Sequence, residues 1–121
     1  MARRSSRHRR RATAAEQAQA AYALLCAVID TGEASTDDAH ARYELPSSVE
    51  QRAWGAVTTR LLAEGVLRRV GDAHTRRSVA HGRRIGRYRA TDTSRAYLTT
   101  LAASAGRTRP AQRTLFSDGE G

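Results

Sequence analysis

Arginine is the residue through which this sequence could do chemistry: all 21 of its basic side chains are arginine and none is lysine. A guanidinium stays charged at every physiological pH and presents a planar fork of donors that matches phosphate oxygens and the guanine edge. That is binding chemistry, aimed at anions. Residues 14–67 hold eight acids (Glu16, Asp30, Glu33, Asp37, Asp38, Glu44, Glu50, Glu64) against Arg42, Arg52 and Arg60, a net −5. Residues 68–89 hold Arg68, Arg69, Arg76, Arg77, Arg83, Arg84, Arg87 and Arg89 against Asp72 alone, a net +7. A GC-rich coding sequence would account for the missing lysine but not for this segregation. A positive patch concentrated within one small domain points to a polyanion.

Other chemistries lack their residues. The sequence has no paired carboxylates, no nucleophile beside a base and no glycine-rich phosphate loop, so it is not expected to be an enzyme or to take a cofactor. Its one cysteine, Cys26, falls in an apolar helical run and reads as a small buried hydrophobe. His74 and His81 flank an arginine-rich stretch with neither a cysteine nor a carboxylate pair beside them, so they read as loop residues and no metal site is expected. No apolar run approaches the ~20 residues that cross a bilayer, and the basic N-terminus leads into Glu16 and Gln17 rather than a signal-type segment. The expected compartment is the cytoplasm, associated with the nucleoid, with no membrane partner.

These arginines need elements to hold them. Residues 1–12 read as a disordered basic arm, 13–104 as one domain and 105–121 as a flexible tail. The low aromatic content, 5%, with abundant alanine, favours small helices over a sheet-rich fold with a large cavity. Ala18, Ala21, Tyr22, Leu25, Val28 and Ile29 recur at helical steps from Thr13 to Asp30, and Gly32 can terminate that helix. Ser35 and Thr36 with Asp37 and Asp38 cap a short second helix reaching about Glu44. Leu45-Pro46-Ser47-Ser48 stops it, and a third helix spans Val49 to Glu64. Its wheel places Val49, Ala53, Trp54, Val57 and Leu61 toward a core and Ser48, Gln51, Arg52, Gly55 and Thr59 opposite. Gly55 costs about 1 kcal/mol relative to alanine in a helix. Either another surface approaches the backbone there, or a neighbouring helix packs closely. After Gly65, Val66–Val70 reads as a strand, Gly71-Asp72 as a turn signal and Ile85–Ala90 as a return strand, an irregular hairpin with a long basic tip. Thr91, Asp92, Thr93 or Ser94 caps a last helix that fades near Gly106.

The order helix, short helix, turn, longer helix and basic hairpin resembles the winged helix-turn-helix superfamily over roughly residues 13–104. The stretch TDDAHARYELPSSVEQRAWGAVTTRLLAEGVLRRV carries the resemblance, above all Leu61–Leu67, where the third helix closes on glycine and passes into the first wing strand. The implied fold is mainly α with a small β-hairpin: three helices, a two-stranded wing and a C-terminal helix. In such proteins the second helix of the helix-turn-helix lies in the major groove and the wing reaches phosphates. The resemblance thus turns Ser47, Ser48, Gln51, Arg52, Gly55 and Thr59 toward double-stranded DNA. The tip arginines Arg76, Arg77, Arg83 and Arg84 become phosphate contacts.

In the tail, Gln112-Arg113-Thr114-Leu115-Phe116 resembles the Q-x-x-L-F peptide by which bacterial replication and repair proteins hold the sliding clamp. It departs from the commoner form at Arg113 and Thr114. The resemblance gives Gln112 to a polar pocket rim and Leu115 and Phe116 to an apolar pocket on the clamp. The alternative is that Leu115 and Phe116 fold back onto the domain. The leading expectation is a bacterial or phage DNA-binding adaptor for replication, repair or recombination. A transcriptional repressor and a winged-helix protein-interaction module are the alternatives, and the first and last helices could supply a homodimer interface.

Overall fold

A Thr-x-x-Glu spacing starts the first helix. The Thr13 N–H donates to Glu16 Oε1 at 3.0 Å and the Glu16 N–H to Thr13 Oγ1 at 3.1 Å, a capping box that supplies two of the orphan donors of a helix start. In the computed structural model, which describes residues 12–46, 49, 53–74, 84–105, 110 and 112, this helix is α1 (Ala14–Thr31). Its N–H-to-carbonyl ladder closes on Gly32, at φ 92°, whose N–H donates to Val28 O. The chain continues through β1 (Glu33–Ser35), α2 (Thr36–Arg42), α3 (Trp54–Ala63), β2 (Leu67–His74), β3 (Arg84–Ala90) and α4 (Ser94–Ala105). Among the described residues the fold is therefore mainly helical, four helices with a three-stranded antiparallel sheet in the order β1-β3-β2.

α1 is the central element. Ala20, Ala21, Ala23, Leu24, Leu25, Ala27 and Val28 are all buried, and α2, α3, α4, β1 and β3 pack around it. Small side chains let those neighbours approach, and Leu24, Leu25, Val28, Val49 and Leu61 fill the space between them. α3 meets the core through Trp54, Val57 and Leu61, preceded by buried Val49 and Ala53, so the expected apolar face is the one observed. Its helical ladder is described from Trp54, with Ala53 before it already in the right-handed helical region.

α3 ends in a Schellman motif. The Val66 N–H donates to Leu61 O at 2.9 Å and the Gly65 N–H to Leu62 O at 3.1 Å, a geometry that needs the positive φ, 72°, of Gly65. The next helix start holds this corner. Thr91 Oγ1 and Thr93 Oγ1 donate to Gly65 O at 2.7 and 3.1 Å, and the buried Ser94 Oγ donates to Val66 O at 2.6 Å while accepting from the Thr91 N–H at 2.8 Å. The threonines and serine expected to cap the last helix thus also supply the carbonyls leaving α3, which seats α4 against α1.

Three details differ from the sequence reading. Glu33–Ser35 is a strand, which makes the sheet three-stranded rather than a two-stranded hairpin, because its register with Arg87–Arg89 satisfies backbone groups that a cap alone would leave open. Gly71-Asp72 is not a turn: β2 runs through it to His74, and the irregularity is a bulge between Arg69 and Gly71 that leaves Val70 unpaired and exposed. Cys26 is only half-buried, packed against the core cluster without being enclosed in it.

Candidate nucleic-acid interface

Two helices and one hairpin position the candidate side chains. α2 starts on a capping box in which the Ser35 N–H donates to Asp38 Oδ2 at 2.8 Å. It is braced to α3 by one polar contact: Trp54 Nε1 donates to His40 Nε2 at 2.8 Å, the rings edge-to-face with centroids 5.7 Å apart. Accepting at Nε2 requires that nitrogen to be unprotonated. Arg42 turns back to Asp30 at the end of α1, 2.7 Å away. Gly55 and Thr59 are exposed on the far side of α3 from its core face. Among the described residues nothing lies within 4 Å of where a Gly55 Cβ would stand, so none of the described helices packs closely over Gly55. Ser47, Ser48, Gln51 and Arg52 lie outside the described residues.

The hairpin has two unlike faces, set by strand alternation. On one, Leu67, Tyr88 and Ala34 are buried against the helices, and beyond them the same face carries Arg69, Gly86, Asp72 and Arg84. Gly86 is needed there. The Tyr88 ring lies across it, and a Cβ would stand 2.5 Å from the Tyr88 hydroxyl oxygen and 3.1 Å from Arg69 Nε. Asp72 serves two arginines, Arg69 at 2.5 Å and Arg84 at 3.7 Å. The hydrogen bond from Arg69 to Asp72 holds that guanidinium more firmly charged, against a smaller opposing effect of desolvation. The other face is open and carries Glu33, Arg68, Arg87 and Arg89, with Glu33 paired to Arg87.

Of the expected tip arginines, Arg84 begins β3 with its side chain 67% exposed, while Arg76, Arg77 and Arg83 lie outside the described residues, as does His81. Asp72 and Glu33 therefore neutralise part of the hairpin, and one of them comes from the acidic half of the chain. In the sequence Glu33 counted only as one of the eight acids of residues 14–67. Its partnership depends on a strand too short to show any alternation.

In the tail, Gln112 pairs with Tyr43 through an isolated antiparallel bridge, and Pro110 is buried. The chain after α4 thus returns to the end of α2, whereas the whole of 105–121 was expected to hang free. Leu115 and Phe116 lie outside the described residues. Tyr43 itself is buried, edge-to-face with Tyr22 at 6.2 Å. Burial, then the hydrogen bond to Cys26, pushes its hydroxyl well above the ordinary tyrosine range. His40 and Tyr43 were not among the sequence candidates. A histidine and a tyrosine at a seven-residue helix carry no sequence signal for partners so far along the chain.

Among the described residues no three His, Cys, Asp or Glu side chains gather to hold a metal ion, and no helix is long and apolar enough to cross a membrane. Comparison with protein-family models, curated proteins and solved structures finds no match for this chain.

Proposed function

We propose that this chain is a winged-helix protein that binds double-stranded DNA, α2 and α3 forming the helix-turn-helix and β2 and β3 the wing. One observation carries the reading. The only acid of the hairpin segment, Asp72, is already divided between Arg69 and Arg84, and residues 75–83, which carry Arg76, Arg77 and Arg83, contain no acid at all. Their charge has to be met from outside the segment, and a row of phosphates meets it. The element order and the sheet order β1-β3-β2 support the winged-helix assignment. The open space over Gly55 supports a reading face made of Ser47, Ser48, Gln51, Arg52, Gly55 and Thr59, where a groove could approach the helix backbone. Nucleoid association follows from this reading.

Replacing Arg76, Arg77, Arg83 and Arg84 with alanine tests it. Duplex affinity should fall for every sequence, and the slope of log K against log salt should flatten by about 0.9 for each phosphate that is no longer neutralised. An unchanged slope removes the wing from the interface.

The tail supports an adaptor role, in which Gln112, Leu115 and Phe116 dock on a bacterial sliding clamp. Leu115→Ala with Phe116→Ala should abolish clamp capture and leave duplex affinity intact. The pairing of Gln112 with Tyr43 favours a second reading, a transcriptional repressor whose tail completes its own domain. Absence of clamp binding by the unaltered chain would select that reading.

A further inference from the structure

The register of the sheet sets two arginines side by side. Arg68 on β2 is the direct cross-strand partner of Arg89 on β3, and Arg89 is in turn opposite Glu33 on β1. Directly opposed residues have Cβ atoms about 4.5–5.5 Å apart, and like charges in that relation destabilise a sheet. Both side chains are exposed on the open face, away from Tyr88 and Leu67. Glu33 reaches diagonally to Arg87 rather than across to Arg89, and Asp72 is on the opposite face with Arg69 and Arg84. Among the described residues, no carboxylate lies within 4 Å of the Arg68 or Arg89 guanidinium. Three guanidiniums thus share one carboxylate on this face, and the one that is paired is neither of the opposed two.

A sequence that places like charges opposite each other on a strand pair gives up local stability, and such departures cluster where function needs them. We propose that Arg68 and Arg89 form a phosphodiester clamp on the open face of the sheet, separate from the wing tip and from the α3 face. A phosphodiester inserted between them turns repulsion into attraction, since its two unesterified oxygens accept from both forks. The ligand is the backbone of a nucleic acid rather than a free phosphate or small phosphorylated molecule. Small-molecule sites are concave, whereas an open strand face has no walls to hold a lone anion and suits a chain of phosphates. Arg89 lies five residues from Arg84, roughly 17 Å along β3 at ~3.4 Å per residue. At that odd spacing Arg89 is on the opposite face of the strand from Arg84, so the clamp is a second phosphate contact and not a continuation of the wing-tip one. This rests on the DNA-binding reading above.

The experiment compares wild type, Arg68→Ala with Arg89→Ala, and a charge-matched control, Arg42→Ala with Arg95→Ala, for binding to one duplex across a salt series. Thermal melts monitor folding of each. The clamp predicts a salt slope reduced by about 0.9 in the Arg68/Arg89 variant and unchanged in the control. Wild-type binding with equal slopes in all three overturns the clamp while leaving duplex binding standing. Absence of wild-type binding overturns both, and so does retention by phosphatidylglycerol vesicles with no duplex binding. Arg68→Glu supplies a second readout that does not depend on alanine being tolerated. It places opposite charges across from each other, so it should raise Tm at low salt by roughly 1–5 °C while weakening duplex binding. A lowered Tm, or an unchanged duplex affinity, counts against the opposed pair as a clamp.

Discussion

Around α1 apolar side chains close on one another, with Leu24, Leu25, Val28, Val49 and Leu61 almost wholly buried. Along β2 and β3 burial largely ends with Leu67, Gly86 and Tyr88, and guanidiniums carry the strands outward. The helical part is held by packing, which is short-ranged and indifferent to salt. The hairpin is held by its ladder against the mutual repulsion of its arginines, which two acids, Asp72 and Glu33, only partly relieve. The contrast places the stabilising contacts in one region and, on the proposed reading, binding in the other, because charge that would strengthen the fold if compensated has been left open to solvent.

The largest test of that division is Leu24→Ala. Loss of a fully buried leucine should cost about 2–5 kcal/mol in denaturant melts and leave the salt slope of duplex binding unchanged. A changed slope would mean that the core also shapes the charged face. Next is Gly86→Ala, which drives a Cβ into the Tyr88 ring where the packed and charged regions meet. It should cost roughly 1–3 kcal/mol, and pairing it with Tyr88→Ala should recover part of the loss caused by the clash.

Alkali separates the regions in another way. Burial first, aided by Cys26 at Tyr43 and by Glu64 at Tyr97, raises both hydroxyls above their ordinary values. The folded chain then holds protons that the unfolded chain releases near pH 10, so the contribution of these two groups to stability is constant below that pH and is lost as pH rises past it. Tyr43→Phe should make the fall shallower in a Tm series from pH 8 to 11. The smallest effect on the fold is expected from Asp72→Asn. Loss of an exposed ion pair changes stability by about 1 kcal/mol or less, while freeing Arg69 and Arg84 should tighten duplex binding at low salt. Weaker binding would show that Asp72 positions these arginines more than it competes for them.

Much of the fold could be read directly from the residues because its determinants are local. The three- and four-residue steps of α1, the Gly32 and Gly65 stops, the apolar face of α3 from Val49 to Leu61 and the Thr91–Ser94 start of α4 each lie within a few turns of chain. The charge segregation, legible from composition alone, marked the hairpin as the most basic segment of the domain. Which arginines remain available was not legible. That depends on β1 pairing with β3, on a bulge at Val70 that puts Asp72 on the same face as Arg69, and on a register that sets Arg68 against Arg89. The return of Gln112 to Tyr43 is of the same kind. Helix propensity and caps act over three or four residues, so they are written in the sequence locally. Cross-strand partnership joins residues 10 to 23 positions apart between β2 and β3 and 52 to 56 apart between β1 and β3, and it shifts by one residue with a single bulge, so only the folded chain decides it.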